Sequence, residues 1–168
     1  MAIKTIDDLF LHELSDIYSA EKQLTKALPK LARASANPAL HAAFEAHLEE
    51  TQGQIERIDQ IVEKLDLRLK RIKCAAMEGL VEEGKEVIES IEAGPVRDAA
   101  LIGGAQKVEH YEIASYGTLA AMAKQLGKTD ALKLLLETLE EEKSTDEKLT
   151  MLAEQGGNQD AAQKRKAA

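Results

Sequence analysis

Apolar residues recur every three or four positions along most of this chain, the spacing that places them on one face of an α-helix. A first stripe runs through Phe10, Leu14, Ile17, Leu24 and Leu28, and a second through Leu40, Phe44, Ile55, Ile58, Val62 and Leu65. Two more follow: Leu101, Ala105, Val108, Leu119, Met122 and Leu126, then Leu132, Leu135, Leu139, Leu149 and Ala153. The signals between the stripes divide the chain. Thr5 with Asp8 three residues on reads as a capping box, opening a helix that runs to about Ala34, with Pro29 kinking it or beginning its last turn. Asn37-Pro38 supplies an N-cap and an N1 proline for a second helix to about Leu65. From Asp66 to Gly94 lies a connector with a short amphipathic helix, roughly Ala75 to Ile91, closed by Gly94-Pro95. A third helix runs from about Pro95 to Leu126 and is stopped by Gly127; Thr129 or Asp130 caps a fourth, which Gly156-Gly157 ends. Two tight hairpins joined by a long connector predict an all-α, ferritin-like four-helix bundle over residues 1–157, followed by a disordered polar tail over 158–168. The connector length separates this layout from an up-down-up-down bundle, which needs three short loops.

Four carboxylates interrupt these stripes where packing alone would place leucine: Glu21, Glu112, Glu142 and Asp146. A buried carboxylate without a partner is costly, so several on one core point to a bound cation. The second helix contributes Glu50 and Gln54 on the flank of its stripe and His47 and Thr51 within it. Height along the bundle tests whether these groups meet. Glu21 and Thr51 each lie 15 residues from Ala36 near the first turn, and Glu112 and Glu142 each lie 15 from Gly127. At 1.5 Å per residue, all four positions stand about 22 Å from their turns. Carboxylates from separate helices would thus share one layer, where hard oxygen ligands suit a dinuclear iron or manganese site. The expected metal residues are Glu21, Glu50, Gln54, Glu112, Glu142 and Asp146, with Glu109 in reserve and His47 as a substitute from the stripe edge. Lysine pairs or shared protons in a metal-free core are the plainer alternative. Tyr18, Tyr111 and Tyr116 read as packing residues, with hydrogen bonding or electron relay near a metal pair as the other role. His12, His41 and His110 read as surface residues.

Composition narrows the class. The 168 residues are 44% hydrophobic and 31% charged, enough for one domain with its own core. Tryptophan is absent and aromatics are 3%, poor in strand formers. A net charge of -8 argues against a general nucleic-acid binder, and the basic clusters at residues 68–73 and 164–166 read as solvated surface. The single Cys74 cannot form an intramolecular disulfide; basic neighbours would lower its pKa. Acids interrupt residues 1–8 before a signal-like region develops, and no stretch reaches the ~20 apolar residues of a membrane span. The expected address is the cytoplasm.

The segments Asp16-Ile17-Tyr18-Ser19-Ala20-Glu21-Lys22-Gln23-Leu24, residues 47–58 around Glu50, residues 107–116 around Glu112, and Glu140-Glu141-Glu142-Lys143-Ser144-Thr145-Asp146 resemble the YciE/YciF family of bacterial ferritin-like stress proteins. The likeness runs from about Ile3 to Leu152. It implies a ferritin-like bundle, a homodimer, a cytoplasmic stress-associated role and a dinuclear metal site, without organic cofactor or settled reaction. The wider ferritin-like pattern sets one Glu on two helices and Glu-x-x-His on the other two. Glu21 and Glu112 match the single-Glu places, whereas Glu50 with Gln54 and Glu142 with Asp146 supply neither histidine. An oxygen-rich site of this kind would exchange its metal more easily. Two functions follow: a di-metal oxidase, peroxidase or scavenger, or a non-catalytic dimer that acts through a partner.

Overall fold

The computed structural model describes residues 3–164. Its helices are α1 (Ile6–Ala34), α2 (Pro38–Lys64), α3 (Ala75–Ser90), α4 (Pro95–Gln125) and α5 (Thr129–Leu152); a π-helical turn over Ala153–Gly157 leads into α6 (Asn158–Lys164). The local signals explain most boundaries. At the start of α1, Asp8 N–H donates to Thr5 Oγ1 at 3.0 Å, and Thr5 N–H donates to the Asp8 carboxylate at 3.0 Å. The capping box is therefore closed. Asn37 Oδ1 accepts from Ala39 N at 2.8 Å and Leu40 N at 3.2 Å, and so caps α2. Gly127 takes a left-handed φ of 66°, which lets the chain reverse between α4 and α5.

Two expectations are corrected. Neither Thr129 nor Asp130 caps α5, which starts after Lys128 without a side-chain cap; Thr129 Oγ1 donates to Gly127 O at 3.4 Å instead. The stretch expected to be a disordered tail is helical over Asn158–Lys164 and packs on α4. Gly157 permits this because its missing side chain lets Ile102 approach: a Cβ there would stand 3.0 Å from Ile102 Cδ1. Residues 165–168 of that expected tail lie outside the described residues.

The α1–α2 and α4–α5 hairpins pack with α2 against α5 and α1 against α4, closing a four-helix square, and α3 lies across α1 and α4. Phe10, Leu14, Leu24, Phe44, Ile58 and Leu119 are among the fully enclosed side chains. Three side chains of α1, spaced one turn apart, hold the connector to the bundle. Ser15 Oγ accepts from Lys70 N at 3.0 Å, Ser19 Oγ accepts from Cys74 N at 3.0 Å, and Gln23 Nε2 donates to Cys74 O at 3.0 Å.

Asp98 makes a second tie, which the sequence pattern does not reveal. Only 3% exposed, it accepts from Ala36 N at 2.9 Å and Asn37 N at 2.8 Å, joining the start of α4 to the α1–α2 turn. Its loss strands two backbone donors, so Asp98→Ala should cost about 2–4 kcal/mol and lower the melting temperature by about 5–15 °C. An unchanged melting temperature would show that the turn holds its shape without this carboxylate.

Candidate metal centre

Where the helices face one another, the layer is acidic. Glu21 from α1, Glu109 and Glu112 from α4 and Glu142 from α5 are 0% exposed, and His47 from α2 is 3% exposed. Glu109 and Glu112 are three residues apart and share one face of α4. His47 Nδ1 stands 3.3 Å from Glu109 Oε1, and its Nε2 stands 3.9 Å from Glu142 Oε2. One ligand atom from each of His47, Glu109, Glu112 and Glu142 lies within 4.8 Å of the others, so these four residues could hold a metal ion. Glu21 faces Glu112, and Glu109 faces Glu142. The Tyr116 hydroxyl, itself buried, donates to Glu21 Oε1. The remaining seven oxygens of Glu21, Glu109, Glu112 and Glu142 have no hydrogen-bond partner.

Burial sets the electrostatics. It is the main cause that pushes Glu21 up to about 7, against the pull of the Tyr116 hydroxyl. Burial also takes Glu109 to about 8, helped by the charges of Glu21 and Asp146. Burial raises Glu112 and Glu142 well above the usual carboxylate range, helped at Glu112 by the charge of Glu142 and at Glu142 by the charges of Glu21 and Glu109. Burial drives His47 the other way, down to about 4. Near neutral pH the metal-free centre is thus a neutral imidazole among carboxyl groups that largely keep their protons.

Of the expected metal residues, Glu21, Glu112 and Glu142 are in this layer. Gln54 is also buried, with its Nε2 donating to Glu141 Oε2 at 3.2 Å and its Oε1 without a partner. Arg57 holds that same carboxylate at 2.7 and 2.5 Å, closing this side of the bundle. Glu50 and Asp146 are not among the four residues that converge; both are partly exposed, although Asp146 Oδ1 is itself buried without a hydrogen-bond partner. Four residues past Glu142 add 400° of rotation, so Asp146 turns about 40° toward the α4 flank. There its Oδ2 is 3.1 Å from His110 Nε2, with the side chain 21% exposed. The inward place one turn beyond Glu142 goes to Thr145, and on α2 it goes to Thr51 rather than Glu50. Glu50 lies at the edge, accepting from Thr145 Oγ1 at 3.1 Å.

Two members of the cluster were held only in reserve by the sequence pattern. Glu109 was legible three residues before Glu112. His47 brings one imidazole to a site that the Glu-x-x-His comparison leaves with none. Cys74 is a further correction: it is buried, and burial pushes its thiol up despite the Tyr111 hydroxyl 3.0 Å away. Tyr111 also donates to Asp16 Oδ2 at 2.7 Å.

A bundle of two hairpins with a carboxylate-rich layer across its middle defines a ferritin-like protein. The chain belongs to the family described as a domain of unknown function, DUF892, which matches residues 5–162. It is 67% identical to protein YciF of Escherichia coli strain K12 over 165 residues, 98% of this chain and 99% of that protein. The crystal structure of the E. coli stress protein YciF superposes with a TM-score of 0.88 at 70% identity, covering 90% of this chain and 96% of that one. YcfI from Rhodopseudomonas palustris gives a TM-score of 0.85 at 48% identity, covering 88% of this chain and 94% of that one. A protein from Xanthomonas campestris pv. campestris shares the fold at 22% identity, with a TM-score of 0.75 over 98% of this chain and 100% of its own. The family resemblance drawn from the helix motifs therefore holds. Among the described residues, no helix is long and apolar enough to cross a membrane.

Proposed function

We propose that this protein is a cytoplasmic stress-associated metalloprotein that holds two divalent ions, iron or manganese, in its acidic layer and acts on oxygen or peroxide. One observation carries the reading: the seven buried oxygens of Glu21, Glu109, Glu112 and Glu142 that have no hydrogen-bond partner. An apolar core does not gather such groups without compensation, and a pair of hard cations compensates all of them together. Glu109, Glu112, Glu142 and His47 would hold one ion, and Glu21, which faces Glu112, would contribute to the other. Bound there, redox-active ions supply the electron exchange with oxygen or peroxide that no side chain of the layer can provide. The protein's own groups handle charge and protons. Glu21 and Glu109, titrating near 7 and 8, give up protons as cations arrive. Tyr116 keeps its proton and fixes the orientation of Glu21. The stress role carried in the description of E. coli YciF supports this setting. A homodimer, implied by the family resemblance, is the proposed working unit.

Elemental analysis after reconstitution with iron(II) or manganese(II) tests the proposal. The wild type should carry about two ions per chain and the Glu21→Ala, Glu112→Ala double variant none. Light scattering on the same samples should give the mass of two chains. A wild type that takes up neither metal would remove the di-metal reading and favour a non-catalytic dimer acting through a partner.

A further inference from the structure

The four glutamates of the centre are fully buried, so an ion must cross the wall of the bundle to reach them. The seam between α2 and α5 contains a small cavity of about 40 Å³ whose lining includes His47, Glu50, Thr145 and Lys148, with Phe44 and Leu149 as apolar walls. Its polar groups form steps from solvent to the centre. Lys148 and Glu50 are outermost, with side chains 57% and 30% exposed and Nζ 3.4 Å from Oε1. Thr145 comes next, donating to Glu50 Oε2 at 3.1 Å. It is 6% exposed and one turn from Glu142. His47 ends the series: it is 3% exposed, its Nε2 has no hydrogen-bond partner, and that atom stands 3.9 Å from Glu142 Oε2. A water needs about 10–15 Å³, so the space takes one small ion with little of its hydration shell.

We propose that this α2–α5 crevice is the access route by which a divalent cation reaches the buried centre, with Glu50 as the receiving ligand and Lys148 as the gate. The proposal rests on the metal-binding reading above. Glu50 offers a carboxylate at the surface, Thr145 a hydroxyl oxygen on the way, and His47 the first ligand inside. The Lys148 ammonium over the mouth repels an approaching cation. Its exposed pair with Glu50 is weak, contributing about 0–1 kcal/mol, so it opens readily. The chemical class admitted is a single first-row divalent ion.

Stopped-flow mixing of the apoprotein with cobalt(II), read by visible absorbance, measures the route, and elemental analysis measures the end point. Lys148→Met should load about three to ten times faster than wild type at low ionic strength, because one positive charge near the path is gone. Glu50→Gln should load slower by about tenfold, and both differences should shrink at about 1 M salt. Both variants should reach the wild-type metal content, since neither removes an atom of the cluster. Wild-type loading rates in both variants would overturn the route while leaving the metal site standing. Slow loading in Asp146→Asn with normal loading in Glu50→Gln would also overturn it, placing access at the α4–α5 seam beside His110. A wild type that binds no cobalt(II) at equilibrium would overturn this route and the metal-binding reading together.

Discussion

Replacing Glu112 with methionine should raise the melting temperature of the metal-free protein by about 5 °C or more while abolishing the stabilisation that iron(II) or manganese(II) gives the wild type. The opposite signs come from one cause. Glu112 is wholly enclosed, neither of its oxygens has a hydrogen-bond partner, and it faces the Glu21 carboxyl. Without a cation it costs folding free energy, and an extended apolar side chain of similar length removes about 1–4 kcal/mol of that cost. With cations present the balance reverses, because ligand binding to the native state adds about 2.7 kcal/mol at one hundred times its Kd. Thermal unfolding of chelator-treated and metal-loaded samples gives the four melting temperatures needed. A metal-free variant less stable than wild type would mean that Glu112 is a satisfied packing residue and not a ligand.

The second large effect is on pH. In the unfolded chain Glu21 and Glu109 titrate near 4.5, whereas in the fold they titrate near 7 and 8. Between those values the native state keeps protons that the unfolded state has released. The stability they contribute is full below pH 4.5 and is lost as pH rises through the folded values. His47 acts in the opposite sense between about 4 and 6.5, where its burial disfavours the imidazolium. The clean window therefore opens above pH 6.5, and urea unfolding of the apoprotein should show about 2–4 kcal/mol less stability at pH 8.5 than at 6.5. Manganese(II) should flatten or invert that slope, since it binds the deprotonated carboxylates. An apoprotein equally stable at both pH values would show that the four glutamates do not titrate across this range.

The helix hairpins were legible because their boundaries rest on local chemistry. Thr5, Asn37 and Gly127 act within a few residues of themselves, and the equal distances of Glu112 and Glu142 from Gly127 follow from helix rise alone. The centre was only partly legible because a single stripe describes a helix with one covered face. α4 packs against α1, α3 and α5, so its buried arc is wide enough to enclose Val108, Glu109 and Glu112 together. On α5, four residues of rotation carry Asp146 from the inward line of Glu142 to the edge of a narrower buried arc, where one of its oxygens is still enclosed. Asp98 was illegible for another reason: its partners lie 61 and 62 residues away. Thr145 and Thr51, the inward residues on α5 and α2, carry no charge and so gave no sign that the acidic layer ends at them.

The Ser15, Ser19 and Gln23 ladder has a consequence for how the two hairpins communicate. One hairpin supplies Glu21 and His47, the other Glu109, Glu112 and Glu142, and the connector is the covalent link between them. Bound along α1 at three successive turns, residues 70–74 act as a strut and not as a tether. The ladder aligns only while α1 is helical, so unwinding α1 releases the brace and Glu21 in one cooperative event. Amide exchange at Lys70 and Cys74, whose N–H groups are held by the α1 side chains Ser15 and Ser19 within two turns of Glu21, thus becomes a reporter of the integrity of the buried site.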